Sequence, residues 1–291
     1  MPKNQKHSEK QVHLNEKTER MVSGAYVSWE KSSEQVWSEL ENRMNSTVVP
    51  VKRVVLRPWV SMAAAAAIAL LVGITAFMQF YTKKIRIPAG QHSSIYLPDN
   101  SKVTLNAQSI ISYKPLLWWY SRSVKFEGEA YFEVQKGKKF MVTSDFGKTF
   151  VLGTSFNIYS RNDNYQVTCI SGIVKVMNRA NRKEVILDAG QKAALNPVGV
   201  MKVLTLIDTE QTLSWTKNRF SFTSVSAKHV FEEIARQYDI TISVPAYVDK
   251  MYTGAFNKSE SPGDVLNLVC RPLNLTYIRK SQNEYAISGN N

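Results

Sequence analysis

Three carboxylates, Glu127, Glu129 and Glu133, crowd into FEGEAYFEV, residues 126–134. Paired carboxylates are the usual equipment for general acid–base hydrolysis. In a strand, however, residues two apart share a face. Phe126, Gly128, Ala130, Phe132 and Val134 then face inward, and Glu127, Glu129, Tyr131 and Glu133 face outward. A solvated strand face is therefore preferred to catalysis, and a hydrolase using Glu127 and Glu129 stands as an alternative. A second candidate is Gly153-Thr154 in VLGTSF. Strain at the glycine would let the Thr154 hydroxyl attack the preceding carbonyl, an N-to-O acyl shift that cuts the chain. An ordinary turn entering a strand accounts for the same residues and is preferred. His7, His13, His92 and His229 fall in different segments without metal-ligand spacing. There is no Gly-x-Ser-x-Gly elbow, phosphate loop or Cys-x-x-Cys. Cys169 and Cys270 sit at apolar positions and read as buried free thiols. The expectation is a protein that binds and transmits, with no enzymatic activity, no cofactor and no metal.

The elements that carry these residues follow two periods. From Ser93 to Leu195 the pattern alternates every two residues and breaks every 8–12. SIYL and KVTL flank a tight turn in which Asp99-Asn100 can adopt the left-handed conformation. SVKF, AYFEV, FMVTS, TFVL, FNIYS, QVTCIS, IVKVM, EVIL and QKAAL follow as strands. This predicts an antiparallel sandwich or roll over residues 82–204. After a linker at 197–213, the order changes to β-α-β-β-α-β-β, a small α+β domain at 213–289. Its helices are expected at Val225–Tyr238, with Val230, Phe231, Ile234 and Tyr238 on one side, and at Pro262–Leu273, with Val265, Leu266, Leu268 and Val269 inward.

Trp59 to Tyr81 is a run of 23 residues without a charge. That is enough for a helix to cross a bilayer, and Trp59, Phe80 and Tyr81 mark the interfaces. Basic residues do not orient it: Lys52, Arg53 and Arg57 precede it, and Lys83, Lys84 and Arg86 follow. A cytoplasmic N-terminus is expected because residues 82–291 look like a self-contained exported part. The formal net charge of +13 is mostly spread beyond the span, with dense groups only at Lys136–Lys139 and Arg179–Lys183, read as hairpin turns. That argues for a solvated surface and against direct nucleic-acid binding.

Residues 1–58 form a short helical tail. Met21, Val22, Ala25, Tyr26 and Trp29 line one helical face. Ser32 with Gln35 fits a capping box for a second helix carrying Val36, Trp37, Leu40 and Met44. So few apolar side chains cannot make a core alone. A partner protein is the favoured cover, with Trp29 and Trp37 as anchors.

LPDNSKVTLNAQSIISY, VKFEGEAYFEV, FMVT and VLGTSFNIYS resemble, in that order, the signature segments of the FecR family of membrane-spanning anti-sigma factors. LSWTKNRFSFTSVSAKHVFEEIARQYDITI resembles the domain that follows in Bacteroidetes-type members. Asn100 stands where the family usually has Gly, and Lys139-Phe140 where it has Pro-Phe. The resemblance implies a single-pass protein of the bacterial inner membrane, N-terminus cytoplasmic and C-terminus periplasmic. It implies an extracytoplasmic-function (ECF) sigma factor as cytoplasmic partner, held by Trp29, Val36, Trp37, Leu40 and Met44. It implies the signalling domain of a TonB-dependent outer-membrane transporter as periplasmic partner. Release would follow stepwise cleavage by site-1/site-2-type proteases. The small α+β domain resembles that signalling (STN) domain itself, and some family members resemble self-cleaving proteins at a Gly-Thr bond like Gly153-Thr154. A membrane-anchored glycan- or cell-wall-binding module is the alternative.

Overall fold

The computed structural model describes residues 30–46, 58–162, 164–195, 199–205 and 207–289. Helix α1, Ser33–Ser46, starts at the expected capping box. The Gln35 amide donates to Ser32 Oγ at 3.4 Å, and the Ser32 amide donates to Gln35 Oε1 at 3.1 Å. Helix α2, Pro58–Phe80, carries the apolar run. Its 22 uncharged, mostly apolar residues from Trp59 span about 33 Å at ~1.5 Å per residue, matching a bilayer core. The Thr75 hydroxyl in its second half donates to the Leu71 carbonyl at 2.9 Å. The expected helix around Met21–Trp29 lies outside the described residues.

Among the described residues thirteen strands follow, with β5, Arg122–Glu133, shared by two sheets. The first sheet runs β1 (Lys83–Ile87), β4 (Ser109–Tyr113), the first half of β5, β6 (Phe140–Thr143), β7 (Gly147–Val151), β10 (Ile173–Asn178) and β11 (Glu184–Asp188). The second runs β2 (Ser93–Tyr96), β3 (Lys102–Leu105), the second half of β5, β8 (Ser155–Arg161), β9 (Asn164–Ser171), β12 (Lys192–Leu195) and β13 (Met201–Leu204). SVKF and AYFEV are thus one strand rather than two. The KKIRI segment of β1 and the SIISY segment of β4 are strands that period counting left unassigned. Residues 201–204, expected as linker, pair with β12.

Gly128 explains how one strand serves two sheets. Its φ is +119°, a conformation that side chains disfavour, and a Cβ there would stand 2.4 Å from Ser109 Oγ. The strand bends there so far that the Phe126 and Phe132 rings meet edge-on at 5.6 Å. A straight strand would separate them by about 20 Å. The bend also brings the end of β5 back beside its beginning. A connection of six residues, 134–139, therefore suffices for β6 to run parallel to β5, where a parallel pair normally needs a long crossover. The sandwich is accordingly antiparallel in every strand pair but this one. For the same reason Lys136–Lys139 is not a hairpin turn, whereas Arg179–Lys183 does join the antiparallel β10 and β11.

Arg122 closes this open end of the sandwich. Its guanidinium donates to the Gln135 carbonyl at 2.9 Å and the Lys138 carbonyl at 2.6 Å, and pairs with Asp99. Asp99-Asn100 forms the expected turn, with Asn100 at φ +61°. The core between the sheets holds Phe126, Phe132, Phe140, Phe156, Ile158 and Tyr165, all fully buried. Cys169 and Cys270 are free and buried, and burial pushes both thiols up to about 11.

A one-turn helix α3, Thr209–Thr212, leads to the α+β domain. Its elements are β14 (Arg219–Ser226), α4 (Ala227–Tyr238), β15 (Thr241–Ser243), β16 (Met251–Asn257), α5 (Pro262–Cys270), β17 (Leu275–Ser281) and β18 (Glu284–Gly289), the expected order. β14 pairs with β16, and β15, β18 and β17 form a second small sheet. Val225 belongs to β14 rather than to the helix, which begins after the Ser226 cap. Val230, Phe231, Ile234, Val265, Leu266 and Val269 are fully buried. Leu268, expected inward, is half exposed at 51 % because it sits on the outer side of α5.

Candidate functional site

Residues that period counting treated separately converge at the bent end of the sandwich, where the α+β domain is seated. Ser109 sits at the corner and clasps the bend: its hydroxyl donates to the Glu129 carbonyl at 3.0 Å and accepts from the Glu129 amide at 3.1 Å. This turns the Glu129 side chain toward α4. Its carboxylate accepts from Asn106 Nδ2 at 2.8 Å and from Asn157 Nδ2 at 3.1 Å. Glu129 is therefore not on a solvated face, contrary to expectation. Glu127 and Glu133 do lie outward, and Glu133 pairs with Lys102 at 3.6 Å. Alternation assigned Glu129 to the outer face correctly, but the α+β domain covers that part of it.

From α4 come Glu233, Arg236 and Gln237. Arg236 donates to Glu233 twice, at 3.0 and 2.8 Å. Gln237 Nε2 donates to Asn106 Oδ1 at 2.7 Å and to Glu233 Oε1 at 2.8 Å, while Gln237 Oε1 meets His92 Nε2 at 2.8 Å. The Gly90 amide donates to the Arg236 carbonyl at 2.8 Å. Arg161 donates to the Ala107 and Gln108 carbonyls at 2.5 and 3.1 Å, holding the loop after β3 in place. His92 also meets the Trp215 ring edge-on at 5.6 Å.

Charge follows this geometry. Burial, then the neighbouring Glu233 charge, pushes Glu129 up to about 7. Burial works against ionised Glu233 too, but Arg236, Arg161 and the bond from Gln237 outweigh it and hold that carboxyl below the ordinary range. Burial disfavours the charged form of His92 and lowers it, against the bond to Gln237. The two carboxylates thus share a site with two arginines, and one tends to keep its proton. Both carboxylates are fully engaged by protein donors. The arrangement is suited to holding two domains in register.

Beside this contact lies a cleft of about 880 Å³, bordered by Tyr159, Lys192, Trp215, Phe222 and Arg236 among others. Asn157 Oδ1, Arg161 Nε and Trp215 Nε1 are buried without a protein partner. Groups of this kind at a domain boundary are normally served by ordered water. Among the described residues no cluster of three His, Cys, Asp or Glu is arranged to hold a metal.

Val36, Trp37, Leu40 and Met44 lie along one exposed side of α1, Trp37 at 70 %. Trp29 lies outside the described residues. Trp59 opens the apolar stretch of α2, and Tyr81 follows its end, both exposed. Gly153 and Thr154 form the link between β7 and β8. Gly153 has φ +154°, and a Cβ there would stand 2.7 Å from the Lys136 Cα. The Thr154 hydroxyl donates to the Ile173 carbonyl at 3.0 Å. The glycine is thereby explained by close backbone approach. Asn106, Asn157, Arg161, Arg236 and Gln237 escaped the sequence reading. They lie on outer strand and helix faces or in the loop after β3, where no local pattern marks a residue as covered by another segment.

Among the described residues these features define a class: one long apolar helix, a corner-folded β-sandwich, and a small α+β domain locked to the corner. Residues 83–175 match the model of the FecR protein family, and residues 219–287 match that of the FecR C-terminal region. With both matched in order over more than half its length, the chain belongs to the FecR family. Two crystal structures of a proposed anti-sigma factor from Parabacteroides distasonis have the same fold, each with a TM-score of 0.66. They are 24 % and 23 % identical to this chain and cover 72 % and 71 % of it, and 99 % of their own length. No curated protein matches the sequence significantly.

Proposed function

We propose that this protein is a transmembrane anti-sigma factor. The observation that carries this reading is the exposed stripe on α1, whose apolar side chains need a cover, in a chain of the FecR family. Residues 1–58 form the cytoplasmic arm, 59–81 the span of the inner membrane, 82–204 the periplasmic sandwich and 213–289 the periplasmic α+β domain. The α1 residues Val36, Trp37, Leu40 and Met44, together with Trp29, hold an ECF sigma factor. The proposed anti-sigma role of the similar Parabacteroides protein supports this assignment. The input is the signalling domain of a TonB-dependent transporter, and the output is release of the sigma factor through regulated proteolysis.

The polar contact between Glu129, Asn106 and α4 gives this relay a physical form. A partner acting on the α+β domain pulls on a contact made of hydrogen bonds and shared charge, which separates at lower cost than an apolar interface and can close again. The test is a pull-down of the sigma factor by the full chain, with a reporter for sigma activity. Trp37→Asp and Leu40→Asp should each abolish capture and raise reporter output. Unchanged capture and output in both variants would falsify the assignment.

A further inference from the structure

The open end of the sandwich carries a surface that the relay leaves unused. β4 ends at Tyr113, which stands opposite Lys83 at the start of β1. Only Tyr81 and Thr82 separate Lys83 from Phe80, the last residue of α2. Chain and register together place the base of the Lys114–Ser121 loop within about 15 Å of the end of α2. Trp118 anchors this loop in the core, edge-on to Tyr113 at 5.5 Å and to Phe140 at 5.9 Å. The next two side chains point outward: Trp119 is 70 % exposed and Tyr120 is 79 % exposed. Leu116 is exposed beside them. A soluble domain gains nothing from placing Trp and Tyr together in water.

The charges at this end are mostly positive. Lys83 and Lys84 stand on β1 where it pairs with the end of β4, Lys114 opens the loop, and Arg122, just after it, fixes the Lys138 carbonyl. The acidic residues nearby, Asp99 and Glu133, are paired with Arg122 and Lys102. Exposed Trp and Tyr next to lysines, tethered to the end of a membrane helix, match the chemistry of an anionic lipid interface: rings at headgroup depth, ammonium groups on phosphates.

We propose that the Lys114–Ser121 loop is a second membrane contact, with Trp119, Tyr120 and Leu116 seated in the headgroup layer next to α2. This rests on reading α2 as a membrane span. The α+β domain is seated at the opposite end of the sandwich, so two-point attachment holds it away from the bilayer and toward an incoming partner. It also converts the bend at Gly128 and the Arg122 closure into a stiff pillar between lipid and the α4 contact.

The test uses the full chain in nanodiscs containing phosphatidylglycerol, labelled with bimane at single introduced cysteines; Cys169 and Cys270 are buried. Trp119→Cys, Phe77→Cys and Ile278→Cys report on the loop, the span and the far domain. Quenching by doxyl lipids should be strong at 77, intermediate and several-fold above background at 119, and absent at 278. It should fall at 119, but not at 77, when zwitterionic lipid replaces phosphatidylglycerol. Quenching at 77 with none at 119 overturns the loop contact and leaves the span intact. A label at 119 shielded from both lipid and aqueous iodide overturns it in favour of a protein partner. No quenching at 77 removes the span reading itself.

Discussion

Helices α1 and α4 follow the same local code and meet opposite fates. Ser32 caps one and Ser226 the other, and an apolar side chain follows four, five and eight residues after each cap: Val36, Trp37 and Leu40 in α1, Val230, Phe231 and Ile234 in α4. The α4 trio is fully buried, whereas the α1 trio is 38–70 % exposed. What separates them is a surface to sit on. α4 lies over β14, β15 and β16 and against α5, and its other side is bonded to the sandwich. α1 carries the same kind of stripe with no buried residue. Burying such side chains is worth about 1.5–3 kcal/mol each, so a partner covering this stripe, as proposed above, would draw its binding energy from it.

The sharpest way to break this comparison is truncation at matched positions. Phe231→Ala should destabilise the α+β domain by about 3–5 kcal/mol, read as an earlier denaturant midpoint. Trp37→Ala should leave that midpoint within about 0.5 kcal/mol while weakening capture of the sigma factor. Equal losses at both positions would mean that α1 is covered within its own chain.

The polar side of α4 gives a smaller, pH-dependent effect. Glu129 is raised from 4.5 to about 7, so the folded state holds its proton more tightly than the unfolded chain does. Its stabilising contribution is complete below pH 4.5 and is lost as pH rises to about 7. Glu233 is lowered and acts in the opposite sense, losing its contribution as pH falls below the ordinary carboxylate range. Glu129→Gln should remove the decline between pH 5 and 7, on the order of 2 kcal/mol with the coupling shared between the carboxylates. Stability measured across pH 4–8 checks this, and an unchanged slope in the variant would assign the decline elsewhere.

The caps should show the smallest effect. Ser226→Ala should cost about 1 kcal/mol in unfolding of the α+β domain. Ser32→Ala should leave that unfolding untouched and reduce only the helicity of a residue 30–46 peptide, read by circular dichroism.

Much of the fold was legible because its signals are short-range. The left-handed turn at Asn100, the Ser32–Gln35 box, the order of elements in the α+β domain and the inward face Phe126–Val134 all follow from neighbours within a few positions. The errors share one cause. Gly128 sits in a strand of unbroken alternation, so nothing local announces that the strand folds back and admits a parallel neighbour. Leu268 has an inward residue type and an outward position, because the face of α5 is set by where α4 lies.

The sequence by itself determined the parts: an apolar span, an amphipathic arm, strands with alternating faces, two capped helices, and the resemblance that names their family. Only the tertiary structure decided which polar residues matter together. Gln237 Nε2 bonds Asn106 Oδ1 across 131 positions, and Glu129 changes from a surface carboxylate to a shared, partly buried one when α4 arrives. The reason is range. Periodicity and capping act through neighbouring turns of backbone, whereas desolvation and charge sharing depend on what another segment brings, and no local pattern records that.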